Sequence, residues 1–327
     1  MSIDLEGEGF ASGAESSNLE SHMDCAWHGL ALIQTLSRLA DGWEQRAAVK
    51  KPEPRIEGLF DSAKPDFLCE LLPFRDHPDF ERAPEEYRRQ ALTCGWLAYN
   101  EKTVAIESKI VSPACMHVID GDLPDLKHED YRQAVSQALV DESYHILLIV
   151  NACRVTRQHR GIKKLSLPKF HLVEMMQRLQ EQHVEPWKKI LIQTACAVVS
   201  EVMVSDYLKL LSTAESIQPL HRITTEIHRR DESAHNAVFK TIGAAVFHSL
   251  TRREKQFFLQ ILPEPAAWFA NAELEIWRAM LKQIGFPNAD RMLDDCGREA
   301  RLHDIHLDLS AFDDLYAELG VHRTFFD

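Results

Sequence analysis

Apolar positions along this chain recur with helical spacing almost throughout. Trp27, Leu30, Leu32, Ile33, Leu36 and Leu39 form a broad stripe that the Lys-Lys-Pro at 50–52 stops. Residues 50–82 carry five prolines and read as irregular connection, with a short helix around Phe67–Leu72 and a role in walling a pocket. Ala83-Pro84-Glu85-Glu86 puts proline and acids in a first turn, predicting a helix to about Ser112, where Pro113 and Asp120-Gly121-Asp122 close it. A second helix starts near His128-Glu129-Asp130 and reaches about Arg157. A basic loop and Leu167-Pro168 lead to a helix over 168–182, and Pro186 opens another over 186–213. A long helix covers 217–249, and Thr251-Arg252-Arg253-Glu254 reads as a capping box for the next. Shorter helices follow, and no strand pattern appears. The expected architecture is all-α, with a four-helix centre and peripheral helices at both ends.

Composition adds little to this fold but excludes several roles. With 37 basic and 50 acidic residues the net charge is −13, which argues against nucleic acid or an anionic membrane as the main partner. Hydrophobic content of 45% and charged content of 27% are those of a globular protein, and runs such as Ile146–Val150 are too short to span a bilayer. Seven scattered cysteines with no Cys-x-x-Cys pair suggest a reducing, cytoplasmic setting. Residues 1–22 are expected to be a disordered acidic tail, in part a cloning remnant at Ser21-His22-Met23, leaving 23–327 as one helical domain.

The chemistry lies on the helix faces. His228, Glu232 and His235 are spaced by four and three residues, so one face carries a carboxylate between two imidazoles. The Asp-Glu-Ser of this motif recurs at 141–143, giving a second Glu-x-x-His pair, Glu142 and His145. On the first long helix Glu107 shares the apolar side of Trp96, Asn100, Val104 and Val111, whereas Glu101 lies well around from it. On the third, Glu201 falls among Thr194, Ala197, Val198, Val204 and Leu208. Four inward carboxylates would repel one another unless cations sat between them, and two divalent metals supply the balancing charge. Oxygen-rich ligation with imidazole suits iron or manganese. Glu142 and Glu232 are expected to bridge, and Asp141 and Asp231 are candidate acceptors for the ligand imidazole N–H groups. A lone Glu-x-x-His is usually a solvated face; two copies with two further core-face glutamates are a rarer conjunction. His303 and His306 read as surface residues, and His171, His183, His221 and His248 as structural or exposed.

The ordered set Glu107, Glu142-x-x-His145, Glu201, His228-x-x-x-Glu232-x-x-His235 resembles the di-iron arylamine N-oxygenase family. Separations of 35, 59 and 27 residues between successive ligand groups fit that family, as does Tyr99-Asn100-Glu101 before the first ligand. The third histidine, His228, separates it from ordinary ferritin-like di-iron proteins. The resemblance implies a ferritin-like (ribonucleotide-reductase-like) four-helix bundle core with additional peripheral helices. It implies two iron ions (Fe2+/Fe3+), one held by Glu107, Glu142, His145 and Glu232, the other by Glu142, Glu201, His228, Glu232 and His235. O2 would be the co-substrate, and an aromatic amine, a biosynthetic intermediate of the secondary-metabolism or antibiotic type, would be oxidised through hydroxylamine and nitroso stages to nitro. With no nucleotide-binding fingerprint in the chain, electrons would come from a separate reductase or a chemical reductant. Homodimerisation is compatible with the family.

Tyr99, two turns from Glu107, and Ser205, one turn after Glu201, are the candidate substrate-pocket residues. The family reads an aryl carboxylate with a basic residue from the C-terminal region, for which Arg291, Arg298 and Arg301 are candidates. Two other readings compete: a di-iron C–H hydroxylase or desaturase, which His228 disfavours, and a non-enzymatic ferritin-like iron-binding protein, which the roughly 150 residues outside the bundle disfavour.

Overall fold

The computed structural model describes residues 29–52, 56–124, 126, 128–298 and 310–321. Expectations for the 1–22 tail, Cys25, Trp27, Arg301, His303 and His306 fall outside these. Every regular element among the described residues is helical. Four long helices carry the sequence motifs. The first comprises Glu85–Ile106, a π-helical turn Glu107–Val111 and a continuation Ser112–Asp120. The second is Glu129–Arg160, the third Pro186–Thr213 and the fourth Pro219–Ser249. Prolines open the last two from positions where no backbone N–H is needed. Gly121 and Gly161 end the first two in left-handed conformation, at φ 77° and 66°.

Two apolar clusters fill the bundle, one toward each end. One contains Ile110 and Cys115 of the first helix, Val135 and Ala138 of the second, Ile192 and Val199 of the third, and Val238 and Val246 of the fourth. The other takes Cys94 and Trp96, then Ile149 and Ala152, then Leu211, then Leu220 from the same four helices. The first and fourth helices therefore run from the second cluster to the first, and the other two run the opposite way. Up-down-down-up order requires one long crossover between the second and third helices, which is the ferritin-like connection. Residues 161–185, including the helix His171–Glu181, provide it. Glu142 and Glu232 fall between the two apolar stretches of their helices, and Glu107 and Glu201 fall within the first cluster near the end that faces the second, so the polar layer lies toward mid-bundle.

The first helix corrects the expectation that Pro113 ends it. Proline cannot donate to the carbonyl four residues back, and an α-helix would normally kink or stop there. Here the π turn absorbs the disruption, and the Gln193 side chain from the third helix donates to the freed carbonyls of Lys109 (3.0 Å) and Ile110 (2.7 Å). Helix then resumes to Asp120. Smaller corrections concern the crossover helix, which begins at His171 with Phe170 as its N-cap, beyond Leu167-Pro168. The Phe67–Leu72 region holds only a 3-10 turn, Cys69–Leu71. Taken whole, the third helix is long and apolar enough to cross a membrane, unlike the short runs noted above, yet 72% of its most apolar stretch is buried in the bundle.

Candidate metal centre

Seven side chains predicted from the sequence meet at mid-bundle, and none is more than 3% exposed: Glu107, Glu142, His145, Glu201, His228, Glu232 and His235. Glu107 is the first residue of the π turn. Such turns insert an extra residue and recur at functional sites because they re-aim one side chain without ending the helix. From the second helix, His145 Nδ1 lies 3.4 Å from Glu232 Oε1 and 3.8 Å from Glu107 Oε1. From the fourth, His228 Nε2 lies 3.3 Å from Glu107 Oε1 and 3.1 Å from Glu232 Oε1. His235 Nδ1 lies 2.8 Å from Glu142 Oε1, 3.2 Å from Glu232 Oε1 and 3.8 Å from Glu201 Oε2. Glu232 thus touches all three imidazoles.

Asp141 and Asp231 are completely buried and act crosswise. Asp231 Oδ2 lies 3.1 Å from His145 Nε2, and Asp141 Oδ2 lies 3.2 Å from His235 Nε2. Each aspartate therefore faces the histidine of the other motif rather than its own. With Nε2–H donating to an aspartate, the deprotonated Nδ1 of each ring is left facing the glutamates. The aspartates are in turn fixed by a segment that sequence reasoning missed. Trp43 Nε1 donates to both Asp141 oxygens (3.1 and 2.9 Å), and the Ala48 backbone N–H reaches both Asp231 oxygens (3.1 and 3.2 Å). No sequence signal marks Ala48, because a backbone N–H is common to every residue type but proline.

The electrostatics show how unstable this layer is without cations. Burial, reinforced by Glu142, holds the Glu107 carboxyl well above the usual range, and burial with Glu232 and Glu142 does the same to Glu201. At Glu232 burial also opposes ionisation, but the charge of His235 and hydrogen bonds from His228 and His235 outweigh it, so its pKa falls well below normal. Burial opposes protonation of His145, but the hydrogen bond to Asp231 and the negative charges of Glu142 and Glu107 prevail and raise it to about 10. His228, desolvated and beside His145, is pushed down. More telling, both oxygens of Glu107 and of Glu142, Glu201 Oε2, Glu232 Oε2 and His145 Nδ1 are buried without a hydrogen bond. Buried polar atoms are almost always satisfied, so a set of orphaned carboxylate oxygens and an imidazole nitrogen facing one another fits metal ions. Two groups have donor atoms mutually close enough to hold an ion: Glu142, His145, Glu232 and His235, and Glu107, His145 and His228.

A cavity of about 100 Å³ adjoins this layer, lined by Tyr99, Lys102, Ile106, Val204, Tyr207 and Phe269 and floored by Glu107, Glu201, His228 and Glu232. Tyr99 is there as expected. Ser205 is not among the lining residues; Val204 and Ser200 take that wall, three residues after and one before Glu201. A second chamber of about 250 Å³ shares Tyr99, Lys102 and Tyr207 with the first. Of the C-terminal arginines that the structure describes, Arg291 and Arg298 line neither: Arg291 pairs with Asp79 and Arg298 with Asp295, both at the surface. Lys102, overlooked in the sequence, sits five residues before Glu107 on the same helix.

The family model described as p-aminobenzoate N-oxygenase AurF matches residues 32–320 of this chain. The 4-aminobenzoate N-oxygenase of Streptomyces thioluteus is 28% identical over 312 residues, covering 92% of this chain and 93% of that protein.

Proposed function

This chain belongs to the p-aminobenzoate N-oxygenase AurF family, and from that membership and the mid-bundle layer we propose that it holds two iron ions and uses O2 to oxidise the nitrogen of a small aromatic amine. The observation that carries the metal assignment is the set of orphaned oxygens and imidazole nitrogen described above. In this reading Glu107, Glu142, His145, Glu201, His228, Glu232 and His235 are the metal ligands. Glu142 and Glu232, each one turn from a histidine and near the centre of the set, would be the residues able to serve both ions. When bound, the irons supply O2 activation and the electron transfers of the oxidation.

The chain's own residues do the rest. Asp141 and Asp231 fix the tautomers of His235 and His145 so that their Nδ1 atoms face the glutamates. His228, kept neutral by burial, adds a ligand without adding charge. The apolar lining from Ile106, Val204 and Phe269 excludes water while accepting an aromatic ring, and leaves the amine at the face of Glu107, His228 and Glu232. That cavity also argues against iron storage, which needs no ring-sized chamber beside its metals. Electrons come from a separate reductase or small reductant.

Reduced, iron-loaded protein should convert 4-aminobenzoate, the substrate named for the relative, or another arylamine to hydroxylamine, nitroso or nitro product detectable by mass spectrometry. Iron mineralisation with no amine oxidised across an arylamine panel would sink the reading, and a ring-hydroxylated product would favour the C–H hydroxylase instead.

A further inference from the structure

Two hydrogen-bonded lines lead outward from the metal layer, and they end differently. In one, Trp43 Nε1 donates to Asp141, Asp141 Oδ2 lies 3.2 Å from His235 Nε2, and His235 Nδ1 faces Glu142 and Glu232. Trp43 is half-buried, so this line ends on an aromatic ring at the surface. The matching line through His145 and Asp231 ends on the Ala48 backbone N–H, which offers no π-system. The surface around Trp43 also departs from the rest of the chain. Residues 38–51 hold four basic and two acidic side chains in a protein of net charge −13. Lys50 Nζ sits over the Trp43 ring, 4.5 Å from its centroid. Beside this segment runs the outer face of the second helix, joined to it where Gln137 Nε2 donates to the Ala40 carbonyl at 3.3 Å. From 136 to 150 every exposed residue of that face is uncharged, and Val140, Leu147 and Val150 are three of the seven large apolar side chains exposed among the described residues.

Resting on the di-iron reading above, we propose that Trp43 is the port through which electrons reach the metal layer, by way of Asp141 and His235, and that the basic 38–51 segment with the apolar face beside it docks an acidic protein that carries one electron at a time. Charge complementarity argues for that partner. The basic segment attracts an acidic carrier to Trp43, whereas the chain's net negative charge disfavours its approach elsewhere. The uncharged helix face lets the carrier come into contact without burying an unpaired charge. Transient electron-transfer contacts are small, so a patch of this size suffices. In each encounter the carrier loses one electron and one ferric ion becomes ferrous, so two carriers oxidised balance one di-ferric centre reduced. Three side chains joined by hydrogen bonds of 2.9 and 3.2 Å keep the route short. A cation held over the ring makes the indole harder to oxidise, so Trp43 passes the electron as a bridge and not as a stable radical.

The probe is a plant-type ferredoxin, an acidic one-electron carrier, with reduced methyl viologen, a small cation, as the comparison. Metal-free wild type should bind oxidised ferredoxin with an affinity that falls as salt rises, and Lys50→Glu combined with Lys51→Glu should weaken that binding roughly tenfold or more. In the iron-loaded, di-ferric protein the same pair should slow the bleaching of ferric absorption by reduced ferredoxin to a similar extent, while methyl viologen reduces it at least as fast as it does wild type. Trp43→Phe, brought to full iron content, should bind ferredoxin as wild type does and yet be reduced by it several-fold more slowly. A merely structural tryptophan would not separate docking from reduction in this way. Ferredoxin binding untouched by the charge reversal, or a wild-type reduction rate in iron-replete Trp43→Phe, overturns the proposal. So does a Leu147→Asp variant that splits a dimer of this chain and binds ferredoxin as before, because the face then belongs to a second copy. Reduction through Trp43 with no amine oxidised leaves the port standing and removes the N-oxygenase reading. Amine oxidised with methyl viologen as donor, while ferredoxin neither binds nor is oxidised, does the reverse.

Discussion

The Glu/His layer and the knot around Asp66 are both polar groups sunk in the same apolar bundle, one left open and the other closed. In the knot, Asp66 is completely buried and accepts from Thr93 Oγ1 (2.5 Å) and from Arg160 Nε and Nη2 (2.8 and 3.1 Å). His221 Nδ1–H donates to the Asp66 carbonyl at 2.7 Å, its Nε2 lies 2.8 Å from Thr156 Oγ1, and its ring stacks on Trp96 at 3.8 Å. Apart from the Trp96 indole N–H, which is buried without a partner, the polar groups of Asp66, Arg160 and His221 are matched with one another and with Thr93 and Thr156, so the knot ties the irregular 56–74 segment to the bundle and presents no converging set of unpaired atoms. In the Glu/His layer the carboxylates outnumber their donors and the leftover atoms face inward. Burial and polarity are common to both; what marks a site is the direction of the unsatisfied atoms.

Four changes would break or sharpen this contrast, beginning with the largest. Glu232→Ala removes the carboxylate that lies within 3.4 Å of all three imidazoles; the protein should no longer bind two iron equivalents, and amine oxidation should be lost. Two irons per chain in that variant, by metal analysis, would show that Glu232 is not shared. On the other side, Asp66→Ala strands the Arg160 guanidinium and should cost about 3 kcal/mol of stability in urea denaturation, while the iron content of the folded protein stays unchanged.

A pH experiment separates the two regions further. Burial holds His221 neutral, with its pKa lowered to about 4. Above pH 6.5 neither folded nor unfolded His221 is protonated, and its share of stability is intact. Between about pH 6.5 and 4 the unfolded chain takes up a proton that the folded one refuses, so stability falls with pH. At pH 4.5 the loss from this group is about 2.5 kcal/mol. His221→Gln should lose correspondingly less between pH 7 and 4.5; an equal loss would place the titration elsewhere. The smallest effect expected is that of Trp43→Phe. Losing the N–H that braces Asp141 should weaken iron binding about tenfold, read by competition with a chelator, with little change in the melting temperature of the metal-free protein.

These contrasts also explain what could be read from the chain alone. Helical period is local, so the inward faces bearing Glu107, Glu142, Glu201 and Glu232 could be drawn from spacing, and the all-α bundle followed. The turn that aims Glu107 could not, because Pro113 is tolerated only through Gln193, a residue on another helix. The crosswise pairing of Asp141 with His235 and Asp231 with His145 depends on how the second and fourth helices face each other. Trp43, Ala48 and the Lys102–Glu273 pair are contacts between distant segments, and no periodicity announces them. Arg291 and Arg298 had the right chemistry for a substrate carboxylate, but their acidic neighbours in the fold hold them at the surface.

The most direct test of the open layer is the iron content of the wild-type protein after anaerobic titration with Fe2+ and removal of loosely bound metal. Two ions per chain, with binding that weakens as pH falls because protons on Glu107, Glu201, His145 and His235 must leave, is the expected result. One ion or none would contradict the assignment of the orphaned oxygens to a two-metal centre.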